Sequence, residues 1–431
     1  MDVPIEPAMP CCGKKSLMSH FAWLDYSEKE RRRMMDVIDL FREKGTVDEL
    51  GLGTIRDAIA DRLFPGTSTV MSRARYYLLV PWTYRSLEAR QVPATEFARR
   101  ARNAELALIP VIAESDDREG NIGRRARFAL KRLPSSIYWA GLRVWGIRNG
   151  NAPQADYHRS IDALYRRAKV QRSRSEARDV EHDDFERDSW HGTLPAAPAN
   201  FPRECSLRLR DVDAEFLAHR VCTAKGTRNS LLAELVHRRV PWDEEGHIWQ
   251  HPDAASWRAD LCEIVHHARM FSEIMHGAVL LYNHLLMGLL GKESVFTGDF
   301  DEWADLMEDR EAAYGCWNKS RFWEIVREQN PRLGARATTF AESWWDMVAK
   351  GGARRICDSN VAHRLVKERE VQLKGKLARL ANLSARERWN QNSGTGQLDY
   401  RWGITQTLLK DIFDGLPQVD DPNGNTTHAP S

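Results

Sequence analysis

The sequence lacks the patterns that mark secreted, membrane-spanning or disulfide-stabilised proteins. None of its seven cysteines belongs to a C-x-x-C pair, and the first twenty residues contain no long apolar run. The most apolar run, 277–290, is interrupted by Asn283 and His284. It is shorter than the roughly 20 residues that a membrane span needs. These absences predict reduced thiols, a cytoplasmic location and no membrane attachment.

The sequence also lacks a complete catalytic or metal-binding signature. The H-E-x-x-H spacing is absent, and the nearest approach to it is Glu263 with His267, four residues apart. Asp299, Asp301 and Asp305 are the other candidates, because phosphodiester hydrolysis usually needs clustered carboxylates or a nucleophilic histidine. These five residues support only an alternative interpretation, a nuclease with an unrecognised site. The leading interpretation includes no catalytic residue, no metal and no cofactor.

Helix signals, in contrast, are dense between residues 21 and 88. Ser27 and Glu30 fit a capping box, in which each side chain accepts a hydrogen bond from an unpaired backbone amide. Thr54 begins a second predicted helix, and Pro65-Gly66 ends it. The N-terminal stretch is therefore predicted to be a series of short helices.

A third predicted helix begins just after that stop and carries Arg73 and Arg75. Pro81 is expected to end or kink it, because proline lacks an amide and clashes with the preceding turn. Two short helices joined by a tight turn predict a helix-turn-helix-like unit, whose second helix reads the major groove in DNA-binding proteins. The alternative interpretation is that both arginines pair with Asp57 or Asp61 and cover a core.

One apolar stripe from about residue 254 to residue 290 predicts a long helix at the centre of a bundle. No run of alternating residues is long enough for a sizeable sheet, so the predicted fold is mainly α, with two helical domains. The predicted segments are a disordered tail at 1–19, a basic N-terminal helical domain at 20–170, a charged linker at 171–204, a C-terminal helical bundle for partner docking at 205–415, and a disordered tail at 416–431.

Positive charge is concentrated in the first half, although the whole chain carries a net charge of only +2. Residues 118–178 contain fifteen lysines or arginines against four acidic residues, a local charge of +11. Five of these cations, from Arg124 to Arg132, are predicted to crowd one helix. The candidate nucleic-acid-binding residues are Arg73, Arg75, Arg124, Arg125, Arg127, Lys131, Arg132, Arg143 and Arg148.

Clustered cations beside aromatic residues favour a nucleic-acid backbone as the ligand. Each neutralised phosphate releases counterions, and this contribution does not depend on base sequence. Aromatic neighbours could add stacking on unpaired bases. Two other interpretations stay open, an acidic protein that covers the face and a face that is only solvated. An acidic run at 179–188 suggests the hypothesis that it shields the basic face until a target displaces it.

Several motifs together resemble an uncharacterised bacterial family of similar length. The motifs are WLDYS at 23–27, DVIDLF at 36–41, FPGTS at 64–68, RARY at 73–76, VPW at 80–82 and PSSIYW at 134–139. Members of that family resemble genes found among helicases in anti-phage defence loci. The resemblance implies a nucleic-acid context, but it implies no reaction and no site residue.

The leading expectation is a non-enzymatic nucleic-acid-binding or adaptor subunit of a bacterial anti-phage defence complex. Its expected partners are the phosphate backbone of DNA or RNA and other defence proteins such as a helicase. The first alternative is the nuclease described above. The second is a pure scaffold whose basic face meets an acidic protein.

Overall fold

The computed structural model describes residues 48–176, 189–242, 246–389 and 395–417, without the side chains of 171–176 and 351. Within these ranges the regular elements are all helices, apart from one isolated antiparallel bridge between Arg148 and Trp190. The predicted mainly α class is therefore confirmed. The predicted capping box at 27–30, the tail at 1–19, the acidic run at 179–188 and almost all of the tail at 416–431 lie outside the described residues.

Sixteen α-helices occur in the described part of the chain, and four short 3-10 turns separate some of them. The helices are α1 Gly53–Leu63, α2 Tyr76–Ala89, α3 Ala94–Glu114, α4 Pro134–Val144, α5 Gln154–Glu176, α6 Asp211–Thr223, α7 Leu231–Arg238, α8 Ala259–Leu289, α9 Thr297–Asp309, α10 Glu311–Gly315, α11 Lys319–Gln329, α12 Ala335–Gly351, α13 Ala353–Ile356, α14 Asn360–Lys374, α15 Leu383–Glu387 and α16 Trp402–Gly415.

The long helix α8 is the centre of the helical packing, as its apolar stripe predicts. It contacts α1, α9, α12 and α14. Two tryptophan indoles donate to carbonyls of α8, Trp303 to Glu273 at 2.8 Å and Trp344 to Ile274 at 2.9 Å. Gly277 makes the first contact possible, because a Cβ there would lie 2.2 Å from the Trp303 ring. The aromatic-rich segment after α8 therefore belongs to the core.

The helix that was predicted to carry Arg73 and Arg75 begins later, at Tyr76. The Tyr138 hydroxyl accepts hydrogen bonds from the backbone amides of Ser72 and Arg73, at 3.0 and 3.2 Å. The Asp411 carboxylate accepts a hydrogen bond from the backbone amide of Ala74 at 2.7 Å. These amides are thus engaged by distant groups, and α1 and α2 are joined by a long connection. The predicted helix-turn-helix geometry with a tight turn is wrong.

Pro81 was expected to end or kink this helix; it lies inside α2, which continues to Ala89, so the helix does not end there. Nearly every side chain around it is buried, from Tyr76 to Tyr84. Tertiary packing on all sides compensates for the backbone hydrogen bond that proline removes.

The predicted basic helix at 124–132 is wrong too, because this segment is a series of turns with one 3-10 turn at Arg127–Ala129. Gly123 and Arg127 both adopt left-handed backbone angles, with φ of 90° and 46°. A left-handed residue interrupts the right-handed helical repeat. The packing of Gly123 also demands glycine, since a Cβ there would lie 2.7 Å from Ile109.

Helices from both halves of the sequence share one continuous core. α1 contacts α8 and α11, and α6 contacts α16. The described residues all belong to one compact unit. The division into domains at 171–204 stays a prediction, and the contacts across it are those of a common core.

The buried carboxyl group of Glu105 in α3 provides a test of this packing. It accepts hydrogen bonds from the backbone amide and the hydroxyl of Ser135, at 2.7 and 2.6 Å. Burial raises the pKa of Glu105 to about 7. The folded state thus holds a proton that the unfolded chain releases near pH 4.5, and stability falls as pH rises through that window. We expect Glu105→Gln to gain stability relative to the native protein between pH 5 and 7, by about 1 kcal/mol per pH unit.

Denaturant unfolding at several pH values measures this difference. The control is Glu114→Gln, which changes an exposed carboxylate on the same helix. A Glu105→Gln difference that stays constant with pH would contradict the buried protonated state.

Candidate nucleic-acid interface and polar cleft

Arg73 is an anchor of the fold. Its guanidinium donates to both carboxylate oxygens of Asp117 at 2.7 Å, and its Nε lies 2.8 and 3.0 Å from the oxygens of Asp411. Only 14% of its side chain is exposed. Asp117 follows α3 and Asp411 lies in α16, so Arg73 joins two distant parts of the chain.

Arg75 is buried more deeply, with 4% of its side chain exposed. It pairs with the buried Asp213 of α6, and its guanidinium lies 4.7 Å from the centre of the Trp82 ring. Burial lowers the pKa of Arg75, and Asp213 opposes that change. These contacts correct the prediction that Arg73 and Arg75 project from an exposed recognition helix, since carboxylates of the same chain already hold both.

Asp57 and Asp61, which were considered as partners for those arginines, pair with Arg401. The distances are 3.1 and 2.6 Å. Arg401 also donates to the Thr67 carbonyl at 2.9 Å. The alternative interpretation was therefore right that the arginines cover a core, and wrong about the carboxylates that pair with them.

The exposed cations form a short loop between α3 and α4, here named the basic loop (residues 124–132). Arg124, Arg125, Arg127 and Lys131 are exposed, and Arg132 is half-buried. Phe128 lies among them with 74% of its surface exposed, the highest value of any large apolar residue described. The predicted cations are thus close together, on turns instead of a helix.

The basic loop has a defined backbone. Arg102 of α3 donates to the Leu130 carbonyl at 3.0 Å, and the Asn121 side chain donates to the Ile109 carbonyl at 2.9 Å. No ion pair joins Arg124, Arg125 or Arg127 to a carboxylate in the described ranges. Their charges are consequently available to an external anion.

A second feature is an open cleft of about 1160 Å³ beside α4. It is bounded by the chain between α1 and α2, by α4 and the residues that follow it, and by the turn before α7. The lining residues are Asp61, Arg62, Pro65, Gly66, Thr67, Ser68, Met71, Ile137, Ala140, Gly141, Arg143, Val144, Arg148, Asn149, Gly150, Asn151, Lys225, Gly226, Asn229, Ser230 and Gln329. Four of them are cationic and one, Asp61, is acidic.

Glycines bring the three walls of the cleft into direct contact. A Cβ at Gly141 would lie 2.4 Å from the Gly66 carbonyl, and one at Gly226 would lie 2.6 Å from the Val144 carbonyl. Gly66 itself has a left-handed φ of 86° and packs against Trp145. Any side chain at these positions would push the walls apart.

Arg148, one of the predicted binding residues, is a buried cation in this cleft, with 4% of its surface exposed. Its guanidinium lies 4.5 Å from the centre of the Trp139 ring and makes one long hydrogen bond, 3.4 Å, to the Asn149 carbonyl. Burial, with the neighbouring charge of Arg143, lowers its pKa to about 10. Its Nε and the Ser68 hydroxyl have no partner within the described part of the chain.

The energetics of Arg148 are unfavourable without an anion. An unpaired buried charge costs several kcal/mol. The contact with Trp139 offsets part of that cost, on the order of 2 kcal/mol. The cleft therefore contains a cation whose compensation is incomplete among the described residues.

Three of the five residues considered for a nuclease, Glu263, His267 and Asp305, make other contacts. Arg321 holds Glu263 at 3.0 Å, and Arg354 pairs with Asp305. His267 accepts a 2.6 Å hydrogen bond from Trp317, and burial lowers its pKa to about 4. No group of three or more potential metal ligands comes together in the described ranges.

Four residues of the cleft were not predicted from the sequence to bind a ligand, namely Arg62, Ser68, Lys225 and Asn229. For Ser68 and Asn229 the local signal is a glycine followed closely by hydroxyl or amide side chains, in the sequences GTS and GTRNS. The two stretches are far apart in the chain, and only the fold brings them to one cleft.

The comparison with protein families identifies the family of this chain. A family model described as "Family of unknown function (DUF6361)" matches residues 18–415. The chain belongs to this family. The expected membership of an uncharacterised family is confirmed, while the link to anti-phage defence stays a prediction. No curated protein and no solved structure matches this DUF6361 protein.

The DUF6361 match includes the basic loop and every residue of the cleft. In the described part of the chain, no helix combines the length and the apolar character that a membrane span requires.

The anchoring role of Arg73 can be tested by removing its guanidinium. Arg73→Met leaves Asp117 and Asp411 without their partner, and breaking a buried ion pair costs about 3–5 kcal/mol. We expect a loss of that size in denaturant unfolding. Arg99→Met removes an exposed pair with Glu96 and should cost less than about 1 kcal/mol. Equal effects of the two substitutions would contradict the anchoring role.

Proposed function

We propose that this DUF6361 protein binds the phosphate backbone of DNA or RNA through its basic loop. The observation that carries the proposal is the exposure of Arg124, Arg125, Arg127 and Lys131 within eight residues, around the exposed Phe128. Closely spaced guanidinium groups attract a polyanion because each phosphate contact releases a condensed counterion. Arg73 and Arg75 have no part in this surface.

The basic loop leads directly into α4, which extends the surface to a second cation. Ser136, Ala140 and Arg143 are exposed at helical spacing along one side of α4. A helix of 11 residues is about 16 Å long. That distance matches roughly five nucleotides of one B-form strand. A single strand could therefore contact both the loop and Arg143.

The proposal assigns the protein a non-enzymatic role, as a nucleic-acid-binding or adaptor subunit in a bacterial anti-phage defence complex in the cytoplasm. Its support is the resemblance of the sequence motifs and the basic loop together. The C-terminal helices are proposed to dock other defence proteins, such as a helicase.

The test is the triple variant Arg124→Gln/Arg125→Gln/Arg127→Gln. We expect weaker binding to labelled oligonucleotides. The plot of log affinity against log salt should flatten by about 2–3, because each lost phosphate contact removes about 0.7–0.9 from its slope. Fluorescence anisotropy at several salt concentrations, with DNA and RNA in single-stranded and duplex form, measures both quantities.

The control is Arg327→Gln/Arg332→Gln/Arg336→Gln, which removes three exposed arginines from the end of α11, the connection that follows and the start of α12. This variant should retain the native slope. An unchanged affinity and slope in the loop variant would refute the proposal. Magnesium-dependent cleavage of the oligonucleotide would favour the nuclease alternative.

Phe128 should distinguish single strands from duplexes. An exposed aromatic ring can stack on an unpaired base, and such contacts contribute about 1–3 kcal/mol. We expect Phe128→Ala to weaken single-strand binding by on the order of tenfold, to leave duplex binding unchanged, and Phe128→Trp to retain affinity. Equal losses on single and double strands would contradict a stacking role.

A further inference from the structure

The cleft beside α4 has an excess of positive charge that the basic loop does not explain. Arg62, Arg143, Arg148 and Lys225 line it. The single acidic lining residue, Asp61, already pairs with Arg401 at 2.6 Å. The lining thus favours an anion.

Arg148 is the most informative of these residues. Its side chain is almost completely buried and forms no ion pair with a described carboxylate, and its Nε has no hydrogen-bond partner there. Stacking on Trp139 orients the guanidinium but leaves its charge without an anion. An anion in the cleft would compensate that charge and accept a hydrogen bond from the unpartnered Nε–H of Arg148.

Neutral hydrogen-bond donors accompany the cations. The Ser68 hydroxyl is buried without a partner in the described ranges. Ser230 lines the cleft and caps α7, so the positive end of that helix begins at the cleft wall. Helix N-termini favour phosphate groups because their amides and the helix dipole attract negative charge. Cationic side chains, a hydroxyl group and the capping residue of a helix N-terminus therefore line the same cleft.

The shape of the cleft limits the choice of ligand. Its volume of about 1160 Å³ is sufficient for a nucleotide-sized molecule. None of its lining residues is aromatic, so the lining offers charge and hydrogen bonds and no stacking surface. Recognition would rest on the anionic part of the ligand.

We propose that this cleft binds a terminal phosphate or a polyphosphate, carried by a free nucleotide or by the end of a nucleic-acid strand. Arg148 and Ser68 are its inner contacts, and Arg62, Arg143 and Lys225 surround its mouth. The site goes beyond the proposed backbone contacts, since a terminal phosphate carries more charge than a bridging one. It does not depend on the basic loop.

The test uses the full-length protein and four probes. Inorganic pyrophosphate and ATP represent the free ligand, and one oligonucleotide with either a 5′-phosphate or a 5′-hydroxyl represents a strand end. We expect calorimetric binding of pyrophosphate or ATP, or at least tenfold preference for the 5′-phosphate. Whichever probe binds identifies the source of the phosphate. Absence of binding and of any preference would overturn the proposal.

Variants connect that binding to the cleft. Arg62→Gln/Lys225→Gln should weaken it at least tenfold, while the loop variant and the α11–α12 control variant should retain it. The loop variant should lose affinity only for the nucleic-acid backbone. The cleft variant, Arg62→Gln/Lys225→Gln, should lose affinity only for the terminal phosphate or pyrophosphate. These two outcomes distinguish this inference from the proposed function. Native phosphate affinity in the cleft variant would overturn the inference.

Arg148→Met separates ligand binding from a structural role. Replacing an uncompensated buried cation by an apolar side chain should leave the Tm of the free protein unchanged or higher, and should abolish the rise in Tm that the bound probe causes. A lower Tm with an undiminished ligand effect would show that Arg148 only supports Trp139, and would refute its assigned contact.

Discussion

The hydrogen bonds accepted from residues 72–74 determine the arrangement of the first half of the molecule. Tyr138 of α4 and Asp411 of α16 accept these three amides, so α2 starts only at Tyr76. The same contacts place Arg73 between Asp117 and Asp411. They also fix the chain before α2 against α4, where the two segments form adjacent walls of the cleft. A few buried polar contacts thereby set both the fold and the candidate ligand site.

Charge in this chain has two separate roles, which composition alone does not distinguish. Arg73, Arg75 and Arg401 pair with carboxylates of the same chain and hold helices together. Arg124, Arg125 and Arg127 of the basic loop face solvent, and Arg148 is buried without a described carboxylate partner. The local charge of +11 at 118–178 was a correct guide to the exposed group. Local charge gave no guide to Arg73 and Arg75, because their carboxylate partners include Asp411 of α16 and Asp213 of α6, which are distant in sequence.

Local patterns predicted the long elements well. The long helix α8 was recognisable because the periodicity of its apolar stripe persists over many turns. Short elements failed where a single residue or a distant contact decided the outcome. The left-handed Arg127 broke the expected basic helix, and buried packing carried α2 through Pro81. The cleft was inaccessible to sequence reasoning, because Ser68, Arg148 and Lys225 come from three separate parts of the chain.

The glycine contacts around α4 have a mechanical consequence. At Gly66, Gly141 and Gly226 the backbone closely approaches a backbone carbonyl or an aromatic ring of the neighbouring segment. The distance between the backbone walls of the cleft is therefore fixed by their packing against the core. Molecules would be sorted by whether they fit an existing gap, with little reorganisation on entry.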